Sequence, residues 1–311
     1  MAVSLLHYRP WRGQFRATEW GIWPIARTAL WMILRRKLFW VLYAFGLLIF
    51  FMFFFGQYML AWATSQMAEQ TVRVGAVRAE PERLVHLLRE VLRLDGTAYT
   101  YRNFFWYQGY MVMIVLAFTG SILVGNDFQF GSLPFYLAKP LGRWHYLLGK
   151  CLAVAVFVNL MTTLPALILF VQYGLIDPDS PTTFSYFIGS RWLLVGILGY
   201  GLLLTVCLSL MLVAAATWLR RTVPMIMTWT TLFVFFRLLA FTLVDGFHYD
   251  PRVRLIDLWN DTYLVGNFCL GNEVIHAVEP AVYQAALVLG ALSLLCLIYL
   301  NQRIRAVEVV R

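Results

Sequence analysis

Six stretches of this chain are each predominantly apolar over roughly the 20 residues that a helix needs to cross the hydrocarbon core of a bilayer. They are 38–62, 105–124, 151–175, 191–216, 223–244 and 281–301. Lipid offers no partner to a backbone amide, so each is expected as a helix. The fold class that follows is an all-α integral membrane protein with six transmembrane helices, forming a single transmembrane domain over 1–311. Composition agrees. The chain is 61% hydrophobic and 13% charged, about half the charge of a soluble domain. The "MLAWATS" at Met59–Ser65 contains an A-x-A pattern. The apolar run before it is about twice a signal-peptide core and follows a polar, basic segment, so it reads as a span and not a cleaved leader.

The basic residues orient these spans. One group comprises the N-terminal segment 1–37, the connection 125–150 (Lys139, Arg143, Lys150), Arg220 and Arg221, and the tail (Arg303, Arg305, Arg311). It carries fifteen of the 25 Lys and Arg residues, including all three lysines. The other connections carry nine, mixed with acids such as Glu80, Glu82, Glu90 and Asp257. The positive-inside rule therefore places both termini in the cytoplasm. The net charge of +9 fits topology and anionic lipid head groups, and no nucleic-acid partner is expected. Cys151, Cys207, Cys269 and Cys296 have neither metal-ligand spacing nor a disulfide framework.

Three flanking segments carry helical signals. Thr18–Lys37 holds Trp20, Trp23, Trp31 and a basic end; it fits an amphipathic interfacial helix, with an extension of the first span as the alternative. The outer loop 63–104 contains "PERLVHLLREVLRL", with Leu84, Leu87, Leu88, Val91 and Leu92 on one face. The outer excursion 245–280 is too apolar for a solvated loop and too short to cross, so a re-entrant or lid-like helix pair is expected before the last span.

The cytoplasmic connection reads "GNDFQFGSLPFYLAKPLGRWHYLLGK". Its closing "GK" is not a phosphate-binding loop: six residues separate Gly142 from Gly149, and Cys151 stands where a magnesium-binding hydroxyl is needed. Phe128, Phe130, Leu133, Phe135, Tyr136 and Leu137 follow Asp127 closely, and Pro140 and Gly142 then stop the segment. Such a segment is either an aromatic docking knob or a turn lying on the membrane.

The order Asp127, Gly131-Ser132-Leu133, Lys139-Pro140, Gly142-Arg143 and Leu147-Leu148-Gly149-Lys150 resembles the signature region of ABC exporter type-2 permeases. The six-span layout, the basic lead-in helix and the outer excursion agree with that family. The resemblance implies that 125–150 is a coupling helix seated on a separate ABC ATPase subunit, which would hold ATP and Mg. It implies a homodimer, or a heterodimer with a related permease, in a bacterial-type cytoplasmic (inner) membrane. Carried over, Asp127, Phe128, Phe130, Gly131, Leu133, Phe135 and Tyr136 dock the ATPase, and Arg143 and Lys150 anchor the return to the bilayer. Pro134 departs from the pattern and shortens the knob. No catalytic, cofactor or metal residue is expected in this chain.

Arg237, in "VFFRLLAF", is the one ionisable residue well inside a span. It either meets an anionic group in a substrate path or snorkels outward to pair with Asp245 or the excursion. Asn159, Thr162 and Thr163 lie near Pro165 and either line that path or join helices. Gln57 and Tyr58 are expected at the outer interface, and Gly196, Gly199 and Gly201 at close helix contacts. The outer set Asp245, His248, Asp250, Asp257, Asp261, Glu273 and His276 shows no complete metal-ligand set. An alternative function is a membrane enzyme acting on lipid or sugar-lipid through those outer residues.

Overall fold

The computed structural model describes residues 21–70, 85–91, 93–120, 122–123, 127, 142–176, 183–219, 221–272 and 279–303. Among them there is no strand. The helices are α1 (Ile22–Leu34), α2 (Lys37–Gln70), α3 (Ala98–Gly120), α4 (Arg143–Met161), α5 (Thr163–Ile176), α6 (Thr183–Gly189), α7 (Arg191–Leu219), α8 (Thr222–Gly246), α9 (Leu258–Cys269) and α10 (Val282–Arg303). Five helical stretches are long and apolar enough to cross a membrane: α2, the α4–α5 pair, α7, α8 and α10. The chain is thus an all-helical, multi-pass membrane protein. Helix α3 is 23 residues long, but its first turns, "AYTYRN", are polar and aromatic.

The core forms around α7 and α4–α5. More than half of each apolar stretch there is buried, against less than a quarter for α2, α8 and α10. The outer faces of those three expose Phe45, Leu48, Phe55, Phe241, Leu287 and Leu295, as lipid-facing helices do. Helices α2, α4 and α8 begin at one end of the bundle, which carries Arg36, Lys37, Arg143 and Arg221; a single cleft there joins the start of α2, the close of α3 and the start of α8. At the opposite end a second cleft joins residues 95–98 to Tyr173, Tyr186, Leu193 and Leu270.

Helix α1 is separate from α2. Its buried stripe Ile25, Ala26, Ala29 and Ile33 follows helical periodicity, and it packs mainly on α4. The break falls at Arg35–Arg36, where the Arg35 guanidinium stacks on Trp31. The continuous-span alternative is therefore not what forms. The third apolar stretch is broken at Thr162. Pro165 has no N–H to return to the Met161 carbonyl, so one rung of the ladder is lost and the helix bends there. Helix α8 carries two π-helical turns, Thr231–Phe235 and Thr242–Gly246, with Arg237 on the α-helical piece between them.

In the outer loop, Leu87–Val91 forms one π-helical turn. Arg93, at φ 52°, ends it, and the Leu94 N–H returns to the Leu88 carbonyl. Leu94 is then buried against Gly56. The first part of the expected amphipathic helix, 81–84, lies outside the described residues.

The excursion folds as a short 3-10 helix (Pro251–Ile256) followed by α9. Asp257 starts α9 by accepting from the backbone N–H groups of Trp259 and Asn260. Glycine makes the seat for α9. A Cβ on Gly109 would lie 2.0 Å from the Trp259 ring, and one on Gly196 would lie 2.4 Å from the Cys269 carbonyl oxygen. The expectation of close packing in α7 holds at Gly196 and at Gly201, which receives Thr163; at Gly199 the contact is ordinary.

Candidate functional site

The described part of the cytoplasmic connection is its root. Asp127 is 6% exposed and Lys150 1%. Lys150 Nζ lies 2.6 Å from Asp127 Oδ2, and the Tyr146 hydroxyl donates to the same oxygen at 2.8 Å. Lys150 also donates to the Leu123 carbonyl. One carboxylate, one ammonium and one phenol thus tie the close of α3 to the first turns of α4. An ion pair this deep holds only because each partner compensates the other and hydrogen bonds complete the set.

This corrects two expectations. Asp127 does not offer its carboxylate to a docking partner; it is turned inward and neutralised. Lys150 does not snorkel to the bilayer surface, because a buried counter-charge is closer than water. Arg143, the first residue of α4, is exposed. Phe128, Phe130, Gly131, Leu133, Phe135 and Tyr136 lie outside the described residues. Gly149 sits where α1 crosses α4: a Cβ there would come within 2.8 Å of Ile25. The "LLGK" of the sequence signature is therefore a packing notch beside a buried cation. Tyr146 was missed from sequence, although its i,i+4 spacing to Lys150 places the two on one face.

The second constellation surrounds α9. The Arg237 guanidinium lies over the Trp106 ring at 4.4 Å and over Tyr110 at 5.4 Å. Trp259 packs on both rings. Arg237 and the Trp259 indole both lean towards the Tyr110 hydroxyl, yet Arg237 Nη1 and Trp259 Nε1 complete no full hydrogen bond. Of the outward partners expected for Arg237, Asp245 pairs elsewhere and the excursion supplies Asp257. Asp245 accepts from Arg254 at 2.7 Å, and Arg254 also holds Glu279. This triad straps the close of α8 and the 3-10 helix to the segment before α10. The negative group near Arg237 is Asp257. Both aromatic partners of Arg237 come from α3, with Trp259 of α9 packed behind them, and no local sequence spacing around Arg237 reveals them.

Beside the strap, Asp261 is fully buried and neither of its oxygens has a hydrogen-bond partner. Burial, reinforced by Asp257 and Glu279, pushes its carboxyl up to about 8. Asp257 is also raised by burial, opposed by the Asn260 N–H and by Arg237. Asn260 donates to Glu279 at 2.8 Å. Among the described residues no group of His, Cys, Asp and Glu side chains could hold a metal ion; Glu273 and His276 lie outside them.

Of the remaining path candidates, Asn159 and Thr162 are engaged inside the bundle, whereas the buried Thr163 hydroxyl has no hydrogen-bond partner. Asn159 donates to the Ala155 carbonyl and to Thr205 Oγ1, both at 2.8 Å, joining α4 to α7. Thr162 donates to the Val158 carbonyl. Tyr58 is exposed, but Gln57, expected at the interface, is fully buried and its amide atoms find no partner. The side chain faces the bundle interior, not the membrane edge. No protein-family model and no curated protein matches the chain.

Proposed function

We propose that this chain is the transmembrane permease subunit of an ABC-type exporter, driven by ATP hydrolysis on a separate nucleotide-binding subunit. The observation that carries the reading is the buried Asp127–Tyr146–Lys150 clamp at the root of the segment that resembles the type-2 permease signature. Coupling needs a lever whose base does not yield, because a loose loop absorbs displacement instead of passing it on. Here the base is fixed by charge, hydrogen bonds and the α1–α4 contact.

Helix α3 is the sixth span in this reading. It runs from the cleft beside Asp95 to the cleft beside Lys37, and in its first turns Tyr101 meets Tyr186, whose hydroxyl also donates to the Gly96 carbonyl. Six crossings put both termini at the basic end, which the positive-inside rule makes cytoplasmic. Helix α1 lies along that membrane surface with Trp23 and Trp31 exposed. A second permease copy, identical or related, completes the path against the bare faces of the peripheral helices.

The test is co-purification of the full chain with its ATPase, with Phe130→Asp and Phe135→Asp compared to the native chain. Both substitutions should abolish association while leaving the permease folded. Undiminished association in both variants overturns the docking assignment. Turnover of a lipid or sugar-lipid that needs Asp261 or Glu273 but no nucleoside triphosphate would establish the enzyme in its place.

A further inference from the structure

The cleft at the basic end has features that neither the clamp nor the path uses. Its volume is about 480 Å³. Arg36 and Lys37 form one lip, Thr119 and Thr222 lie beside it, and Leu42 and Phe118 make an apolar wall; the Thr119 hydroxyl already donates to the Val115 carbonyl. Among the described residues no acid lines it. None of the described ion pairs uses Arg36 or Lys37, whereas Lys150 and Arg254 are both neutralised.

Two long helices also begin at this cleft. Lys37 opens α2 and Thr222 opens α8, and neither helix has an acid in its first turn. The positive ends of α2 and α8 add to the two side-chain charges and are opposed by the carbonyl end of α3, which closes at the same cleft. A site with two cations on its lip that no described ion pair engages, beside one apolar wall, suits an anion that carries a hydrocarbon chain. Leu38 and Leu42, one turn apart on α2, continue the wall beyond the charged lip.

We propose that this cleft binds the phosphate group of an anionic phospholipid, with a chain lying along the Leu38–Leu42 face of α2. A lipid is favoured over a free anion because the cleft opens where apolar spans begin and its charged lip is continuous with an apolar wall. The occupant touches Ile122, the neighbour of Leu123, whose carbonyl receives Lys150. The bound phosphate thus sits next to the clamped root. The site stands whether or not the chain works with an ATPase.

The test titrates the full chain in uncharged detergent with phosphatidylglycerol, phosphatidylcholine or inorganic phosphate, reading bound lipid by native mass spectrometry and thermal stability in parallel. Phosphatidylglycerol should bind and stabilise, with phosphatidylcholine at least tenfold weaker. The Arg36→Gln/Lys37→Gln double variant should lose at least tenfold in phosphatidylglycerol affinity. Arg36→Lys, which keeps the charge and controls for folding, should retain most of it. Arg27→Gln and Arg303→Gln should bind as the native chain does. Equal loss in those two would mean diffuse surface attraction and overturn the site, as would unchanged binding in the double variant. Full stabilisation by inorganic phosphate alone would replace the lipid with a free anion and overturn the assignment.

Discussion

At the basic end of the bundle, Asp127 and Lys150 leave water together; in the excursion, Asp261 leaves it alone. Both carboxyls are buried to a similar degree. The first sits 2.6 Å from an ammonium and accepts from a phenol. The second has no hydrogen-bond partner, and its neighbours Asp257 and Glu279 are acids. Burial is the same physical operation in both places, so the partner decides the outcome. A compensated carboxylate becomes a fixed joint. An uncompensated one keeps its proton and becomes sensitive to pH. The contrast assigns a rigid part to the segment root and a responsive part to the excursion.

The sharpest way to break this comparison is to remove one half of the joint. Lys150→Met leaves Asp127 buried with no cation, and breaking such a pair costs about 3–5 kcal/mol. The thermal midpoint of the purified chain should fall steeply. Adding Asp127→Leu removes the stranded carboxylate and should recover most of the loss. A double variant no more stable than the single one would mean that the pair does not act as a unit. In the exporter reading, that rescued variant should also be folded but uncoupled, since the joint's charges are gone.

The next effect is steric. Gly109→Leu places a side chain where the Trp259 ring lies 2.0 Å from the missing Cβ. Trp259 and the first turn of α9 must move, at about 1–3 kcal/mol for overpacking. Protease or cysteine-labelling access at 258–262 should rise. If α9 stays protected, its seat is not the groove at Gly109.

A smaller effect tests the excursion directly. The Asp261 carboxyl, at about 8 in the folded chain, lies above its unfolded value of roughly 3.9. Between those values the unfolded chain has released a proton that the folded chain retains. Folding therefore binds protons, and stability falls as pH rises from about 4 to 8, levelling off above. Asp261→Asn removes this slope. At neutral pH it should be the more stable form, by a few degrees in thermal midpoint, on the scale of about 2–4 °C per kcal/mol for a chain of this kind. Near pH 4 the two should converge. Parallel curves across the whole range would show that Asp261 carries no such proton.

The sequence made the spans legible because lipid imposes one simple demand, a long apolar helix. Five of the six stretches meet it on the described residues, and Arg35–Arg36 marks a helix break that the basic cluster foreshadowed. The third stretch's bend was less visible, although Pro165 held the cause. The two π-helical turns of α8 left no signal, since widening a helix by one residue changes no residue type. The site was harder for a different reason. Asp127 reads in sequence as a docking residue and Lys150 as an anchor at the bilayer, but their pairing spans 23 positions and depends on α3 and α4 meeting at one end. Arg237 was legible as an anomaly, while its ring partners Trp106 and Tyr110 lie on α3, far from it in sequence. Periodicity reads which face of a helix is greasy, not which charge waits across the interface.

The smallest expected effect separates structure from transport at Asn159. Its amide spends both hydrogens inside the bundle, on Ala155 and Thr205. Interhelical hydrogen bonds in membranes contribute about 0.6 kcal/mol on average, because the loosened state also finds partners. Asn159→Leu should therefore cost well under the loss at Lys150, in a span that is otherwise well packed. A helix joint and a path-lining group predict different transport phenotypes for this variant. A joint gives a slight stability loss with substrate-stimulated ATPase activity preserved. A lining group leaves stability nearly intact and changes the substrate dependence of that activity. The clamp and Asn159 then mark two ends of one scale: α4 is fixed hard at its first turns, where force would arrive, and only lightly in its last turn, three residues before the break at Thr162.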